Sequence, residues 1–124
     1  MIEKQCKNWS KLKQKIHDYI KNVNKSNIRS IARELFQLNI IRGRYLLTNA
    51  IMESQKTKLT NSRLFAALLS IINSKFPQIG ELIVKILVSS FRRNYVENNK
   101  KDCLATGIFL AHLVNQNIVR ILFE

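Results

Sequence analysis

Glycine and proline are scarce in this sequence, with three glycines and one proline among 124 residues. A β-sandwich or β-barrel needs many tight turns, and these two residues supply most of the backbone conformations that such turns require. Their scarcity therefore argues against an all-β fold and favours helices joined by short polar loops.

Cysteine and histidine are also rare, with two residues of each type. Cys6 and Cys103 form no paired-cysteine motif, and His17 and His112 lie far apart in the sequence. Zinc sites and disulfide frameworks use such residues in characteristic, closely spaced groups. We therefore expect no metal site and no disulfide framework.

Long hydrophobic runs are missing as well. The longest apolar stretches, residues 64–72 and 83–88, are too short or too interrupted to cross a bilayer. Charged residues close to Met1 replace the apolar core that a signal peptide needs. The sequence therefore predicts a soluble protein that is neither secreted nor attached to a membrane.

Positive charge, by contrast, is abundant. Lysine and arginine total 21 against 8 acidic residues, which gives a formal net charge of +13. Such an excess favours acidic or polyanionic partners. Because 46% of the residues are hydrophobic, the chain can still bury a sizeable core, and its length predicts one folded domain over residues 1–124.

Apolar residues recur at spacings of three and four along most of the chain, which is the period of an amphipathic helix. The first predicted helix carries Trp9, Ile16 and Ile20 on its apolar face, and Asn27 and Asn39 are candidate caps for the next two. The pattern predicts six or seven helices: over residues 8–23, from Ile28, after Asn39, over residues 62–73, from Pro77, around Leu104 to Leu113, and from Ile118.

The predicted fold class is all-α, with antiparallel helical hairpins stacked into a HEAT-like solenoid. The sequence stops in the apolar run of residues 118–123, with no polar helix to cover the last layer. We therefore expect a truncated solenoid whose last apolar run is exposed unless a partner covers it.

Residues suited to catalysis are not grouped in the sequence. The three glycines form no phosphate-binding loop, and the acidic residues are scattered. His17 and Asp18 are adjacent, but neighbours on a helix point about 100° apart. We expect Cys103 and His112 to be structural residues, and the protein to be neither an enzyme nor dependent on a cofactor.

Two basic clusters leave two interpretations open. Arg42 lies near Arg44, and Arg92 with Arg93 lies between Phe91 and Tyr95. Charge interleaved with aromatic surface suits contact with RNA. Cations at the carboxyl end of a helix equally favour its negative pole without any ligand.

One long motif resembles a known family. Residues 66–82 read AALLSIINSKFPQIGEL, and the similarity extends to residues 9–13, 39–44 and 111–117, so that it covers nearly the whole chain. This pattern is similar to the nucampholin family of pre-mRNA-splicing factors. The resemblance implies the N-terminal half of a helical-hairpin domain of the kind found in the middle of initiation factor 4G.

The resemblance also implies a function without catalysis. Proteins of this family act in the nucleus as scaffolds that bind initiation factor 4A-III, the DEAD-box ATPase of the exon junction complex, and link it to spliceosomal proteins. The residues that correspond to the family's ATPase contact are Asp18, Lys21 and Asn22. Relatives carry a glycine in place of Asp18 and an Asn-Lys pair in place of Lys21 and Asn22.

Two other functions remain open from the sequence. The chain is alternatively a basic RNA-binding module of a splicing or mRNA-processing complex, with Arg42, Arg44, Arg92 and Arg93 as the RNA contacts. It is otherwise a truncated paralogue that has kept the fold and lost the partner.

Overall fold

The described part of the chain is helical throughout. A computed structural model describes the backbone of residues 2–116 and the side chains of residues 8–116, and within these residues it contains no strand. The helices are α1 (Ile2–Asn22), α2 (Ile28–Gln37), α3 (Arg44–Thr57), α4 (Ser62–Lys75), α5 (Pro77–Val96) and α6 (Lys100–Asn115), with a 3-10 turn at Leu59–Asn61.

The predicted all-α class is therefore confirmed. The seventh helix and the exposed apolar run, both predicted from Ile118 onward, lie outside the described residues. The structure divides into two compact units, one up to Ser54 and one from Gln55 onward, with the boundary inside α3. The stacked solenoid and the single domain over residues 1–124 stay predictions.

In the first unit, α1 and α2 pair through the apolar positions that the helical period predicts. Ile16 and Ile20 of α1 are 0% and 1% exposed, and Leu35 of α2 is fully buried. Burial of one such side chain stabilises the fold by roughly 1.5 to 3 kcal/mol. The short connection between the two helices accordingly brings them together as the predicted hairpin.

The predicted start of the third helix is wrong by about four residues. Residues 40–43 form a turn of their own, in which the Gly43 N–H donates to the Asn39 carbonyl at 3.0 Å. A Cβ on Gly43 would lie 3.0 Å from Cδ2 of Leu12, so the absence of a side chain lets this turn pack closely on α1. The helix itself begins at Arg44.

In the second unit, α4, α5 and α6 pack on one another around an apolar core. Pro77 begins α5 as predicted, because the first helical position needs no N–H donor. Asn99 caps α6, with its side-chain oxygen accepting from the Asp102 N–H at 3.4 Å. The buried apolar residues are Phe65, Ala66, Leu68, Leu69, Ile72, Ile79, Ile83, Val84, Leu87, Ala105, Phe109 and Leu113.

The corner between α4 and α5 depends on one close approach. Gly80 is buried, and a Cβ built on it would overlap the Asn73 Oδ1 and lie 2.8 Å from Asn73 Cγ. Both residues belong to the motif of residues 66–82. The Asn73 side chain therefore occupies the space that a side chain at position 80 would need.

We expect Gly80→Ala to lower the free energy of unfolding by up to about 2 kcal/mol. Overpacking costs about 1 to 3 kcal/mol, while alanine in place of glycine in a helix contributes about 1 kcal/mol of stability. Urea unfolding followed by circular dichroism measures the difference.

Two further variants make this prediction specific. Gly107→Ala is the control, because its Cβ would meet only the Phe91 ring, at 3.3 Å, and should leave stability unchanged or higher. In an Asn73→Ala background, Gly80→Ala should lose most of its cost. Equal losses for Gly80→Ala in both backgrounds would contradict the proposed overlap.

Candidate functional site

The three residues that the resemblance selects lie together at the carboxyl end of α1. Asp18, Lys21 and Asn22 are all exposed. The Asn22 Nδ2 donates to the Asp18 carbonyl at 2.8 Å, and the Gln14 Nε2 donates to the Asp18 Oδ1 at 2.9 Å. The helix end therefore presents an ammonium, a carboxamide and a carboxylate to solvent within about one turn.

The turn after α1 is held by two asparagines. The Asn24 Oδ1 accepts from the N–H groups of Ser26 and Asn27, at 2.8 and 3.0 Å. In return the Asn27 Oδ1 accepts from the Asn24 N–H at 2.7 Å, and the Asn27 Nδ2 donates to the Asn22 carbonyl at 2.9 Å. This network fixes the backbone that carries the exposed end of α1.

The predicted break between α1 and α2 is thus confirmed, while the predicted cap acts differently. Asn27 occupies the cap position of α2 but makes no side-chain capping bond to that helix. Its side-chain atoms are used by Asn24 and Asn22 instead, so the amide closes the turn. Local hydrogen bonds of this kind compete with helix capping.

The arginines singled out from the sequence differ in how they are held. Arg42, Arg92 and Arg93 are exposed, whereas Arg44 is half-buried. The Arg44 Nη1 donates to the Ile41 carbonyl at 2.9 Å, and its guanidinium lies 5.3 Å from the centre of the Tyr45 ring. The Arg44 side chain is therefore held by contacts within the first unit. Arg42 is exposed and is the more accessible cation of the two.

A small cleft in the first unit was not predicted. Asn8, Trp9 and Leu12 of α1 line it together with Asn39 and Arg42 of the turn before α3, and its volume is about 290 Å³. Trp9, placed on the apolar core face by its spacing, is 40% exposed. Two segments quoted for the resemblance, residues 9–13 and 39–44, meet here, but nothing in the sequence placed them side by side.

The second unit carries a larger groove of about 790 Å³ between α5 and α6. The apolar pattern around Leu104 to Leu113 predicts α6, yet Leu104 is 60% exposed, and it lines this groove with Phe91 and Tyr95. Leu113 is buried as the pattern predicts, while the rest of the buried face of α6 consists of Ala105, Thr106 and Phe109.

Within residues 8–116, no group of three histidine, cysteine or acidic residues is arranged to hold a metal ion. His17 is exposed beside Asp18, and Cys103 is a half-buried free thiol at the groove of the second unit. Among the described helices, none is both long and apolar enough to cross a membrane.

Comparison with known proteins gives strong matches to individual relatives, although no family model matches. The chain is 46% identical over 117 residues to the pre-mRNA-splicing factor CWC22 homolog of Danio rerio. It is 47% identical over 116 residues to the pre-mRNA-splicing factor cwf22 of Schizosaccharomyces pombe, and 49% identical over 110 residues to the CWC22 homolog of Homo sapiens. These matches cover 94%, 94% and 89% of the chain.

The same matches cover a small part of the relatives. The chain spans 12% of the zebrafish and human proteins and 13% of the fission yeast protein. The similarity is therefore to one segment of much longer proteins.

The asparagine network at the end of α1 makes a stability prediction. We expect Asn24→Ala to lower the free energy of unfolding by about 1 to 2 kcal/mol, because two backbone N–H groups lose their acceptor. Lys25→Ala is the matched control, since Lys25 is exposed in the same turn. Equal stability of the two variants in urea would show that the asparagine network does not stabilise this turn.

Proposed function

We propose, since the chain is homologous over about nine tenths of its length to the CWC22 (nucampholin) pre-mRNA-splicing factors, that it acts as a scaffold in pre-mRNA splicing. The homology confirms the resemblance predicted from residues 66–82. In this proposal the protein works in the nucleus, binds spliceosomal proteins and initiation factor 4A-III, and carries out no catalytic step itself.

The observation that carries the proposal is the identity of 46 to 49% across nearly all of the chain. The end of α1 gives the scaffold an exposed docking surface. Asp18, Lys21 and Asn22 are exposed, while the apolar positions of the same helix, such as Ile16 and Ile20, are buried. A protein partner can therefore bind there without displacing the buried apolar side chains of α1.

The charged and polar groups of this surface determine which groups a partner must present to bind it. Lys21 and Asn22 are adjacent, so exchanging the ammonium and the amide relative to the family keeps both groups at one helix end. Asp18 places a carboxylate where relatives carry no side chain, and a partner that approaches closely must present a cation to it. Binding to the ATPase in this protein therefore includes a charge pair that the family pattern lacks.

A basic RNA-binding module is the second candidate function. The net charge of +13 and the exposure of Arg42, Arg92 and Arg93 favour contact with a polyanion. Pull-down with and without nuclease separates the two candidates. Capture of splicing proteins that survives nuclease supports the protein scaffold, and capture that nuclease abolishes supports RNA.

We expect Lys21→Glu to weaken binding to the second RecA-like lobe of initiation factor 4A-III by about 1 to 3 kcal/mol, with helicity unchanged. The reason is that a carboxylate then meets a surface suited to a cation. Isothermal titration calorimetry measures the affinity. Lys101→Glu is the control, because it reverses the same charge at an exposed position of a different helix, α6.

The restoring variant tests the same surface from the other direction. Asp18→Gly combined with Lys21→Asn and Asn22→Lys rebuilds the family pattern and should tighten the complex. If neither the reversed nor the restored protein differs in affinity from the unchanged one, the end of α1 is not the ATPase contact.

A further inference from the structure

The cleft of the first unit combines chemical groups that the proposed scaffold does not use. The residues that line it are Asn8, Trp9, Leu12, Asn39 and Arg42. The Asn39 Oδ1 is used by the Arg42 N–H at 3.4 Å. The Asn39 Nδ2 and the indole N–H of Trp9 donate to no described residue.

The size of the cleft limits what it holds. About 290 Å³ lies just below the range of about 300 to 1,000 Å³ typical of small-molecule sites, which leaves room for one planar ring system. An exposed indole offers a flat face for stacking, and carboxamides offer donors for the edges of a base.

The charge around the cleft identifies the class of ligand. Arg42 is exposed at its rim, and Lys11 and Lys13 are exposed on α1 next to the residues that line it. No described carboxylate lines the cleft. A planar ring joined to an anionic backbone satisfies all of these groups together: the ring stacks on the indole, its edge accepts from the carboxamides, and the phosphate pairs with Arg42.

We infer that this cleft binds one unpaired base of single-stranded RNA, stacked on Trp9, with Arg42 at the adjoining phosphate. The inference rests on the RNA-binding candidate function and gives it a site in the first unit. Because bases within a duplex are stacked on each other, the cleft selects single strands.

Trp9 is the single tryptophan of the chain, so its emission reports on the cleft directly. We expect a short single-stranded RNA of mixed sequence to quench Trp9 emission to saturation in the 124-residue chain. An abasic oligomer of the same length is the control for charge, and it should bind without quenching. A duplex of the same sequence should also leave the emission unchanged.

Variants then separate stacking from folding. In fluorescence anisotropy with labelled RNA, Trp9→Leu keeps apolar bulk but removes the ring, and should weaken binding roughly 5- to 150-fold, the loss typical of one stacked base. Trp9→Phe keeps a ring and should lose much less. Equal losses for the two variants would assign Trp9 a structural role and overturn the inference.

The phosphate contact has its own readout. Arg42→Ala should reduce the slope of log affinity against log salt concentration by about 0.7, the value for one phosphate contact on a single strand. Arg33→Ala removes the same charge from an exposed position on α2 and should leave the slope closer to that of the unchanged protein. Equal slopes for the two variants would show that Arg42 does not contact a phosphate of the bound RNA.

The outcomes distinguish the cleft from the wider function. RNA that binds without quenching, and with equal affinity for Trp9→Leu, would overturn the cleft while RNA binding stands. RNA that fails to bind at all would overturn both. Binding of a glutamate-rich peptide that is lost in Trp9→Leu, with no quenching by RNA, would assign the cleft to a protein ligand instead.

Discussion

The side chain of Gln55 is 1% exposed, and its Nε2 donates to the Ser62 Oγ and the Ala105 carbonyl, each at 2.9 Å. A buried amide without partners costs about 1 to 3 kcal/mol, so this position is stable only when both acceptors are in place. The Ser62 hydroxyl in turn donates to the Leu59 carbonyl at 2.6 Å. One amide therefore joins the end of α3, the start of α4 and the middle of α6, and through α6 it fixes one wall of the groove in the second unit.

Much of the fold follows from the sequence because apolar residues at a period near 3.6 decide where helices lie. The starts of α2, α4 and α5 were predicted at Ile28, Ser62 and Pro77, and each is confirmed. The start of α3 was not, since the turn before it depends on how closely Gly43 approaches α1, which is a tertiary contact. The buried face of α6 was predicted only in part, with Leu113 buried and Leu104 exposed, because several sides of this helix are apolar and only packing selects among them.

The two candidate surfaces, the end of α1 and the cleft at Trp9, also differ in how far the sequence predicts them. The exposed end of α1 was predictable, because polar residues close a helix whose apolar stripe ends at Val23. The cleft was not predictable, since Trp9 reads as a core residue and Asn39 as a helix cap when each is considered in its own segment. Only the folded chain brings the two together, and it leaves Trp9 40% exposed.

The motif that reveals the family is a packing motif rather than a binding motif. Within residues 66–82, Leu68 and Leu69 are fully buried and Pro77 starts α5. Asn73 fills the space beside Gly80. These constraints specify how α4 meets α5, whereas the proposed partner contacts at the end of α1 are exposed. The motif therefore specifies the packing of the second unit, whereas the partner contact proposed for the first unit depends on its exposed charges.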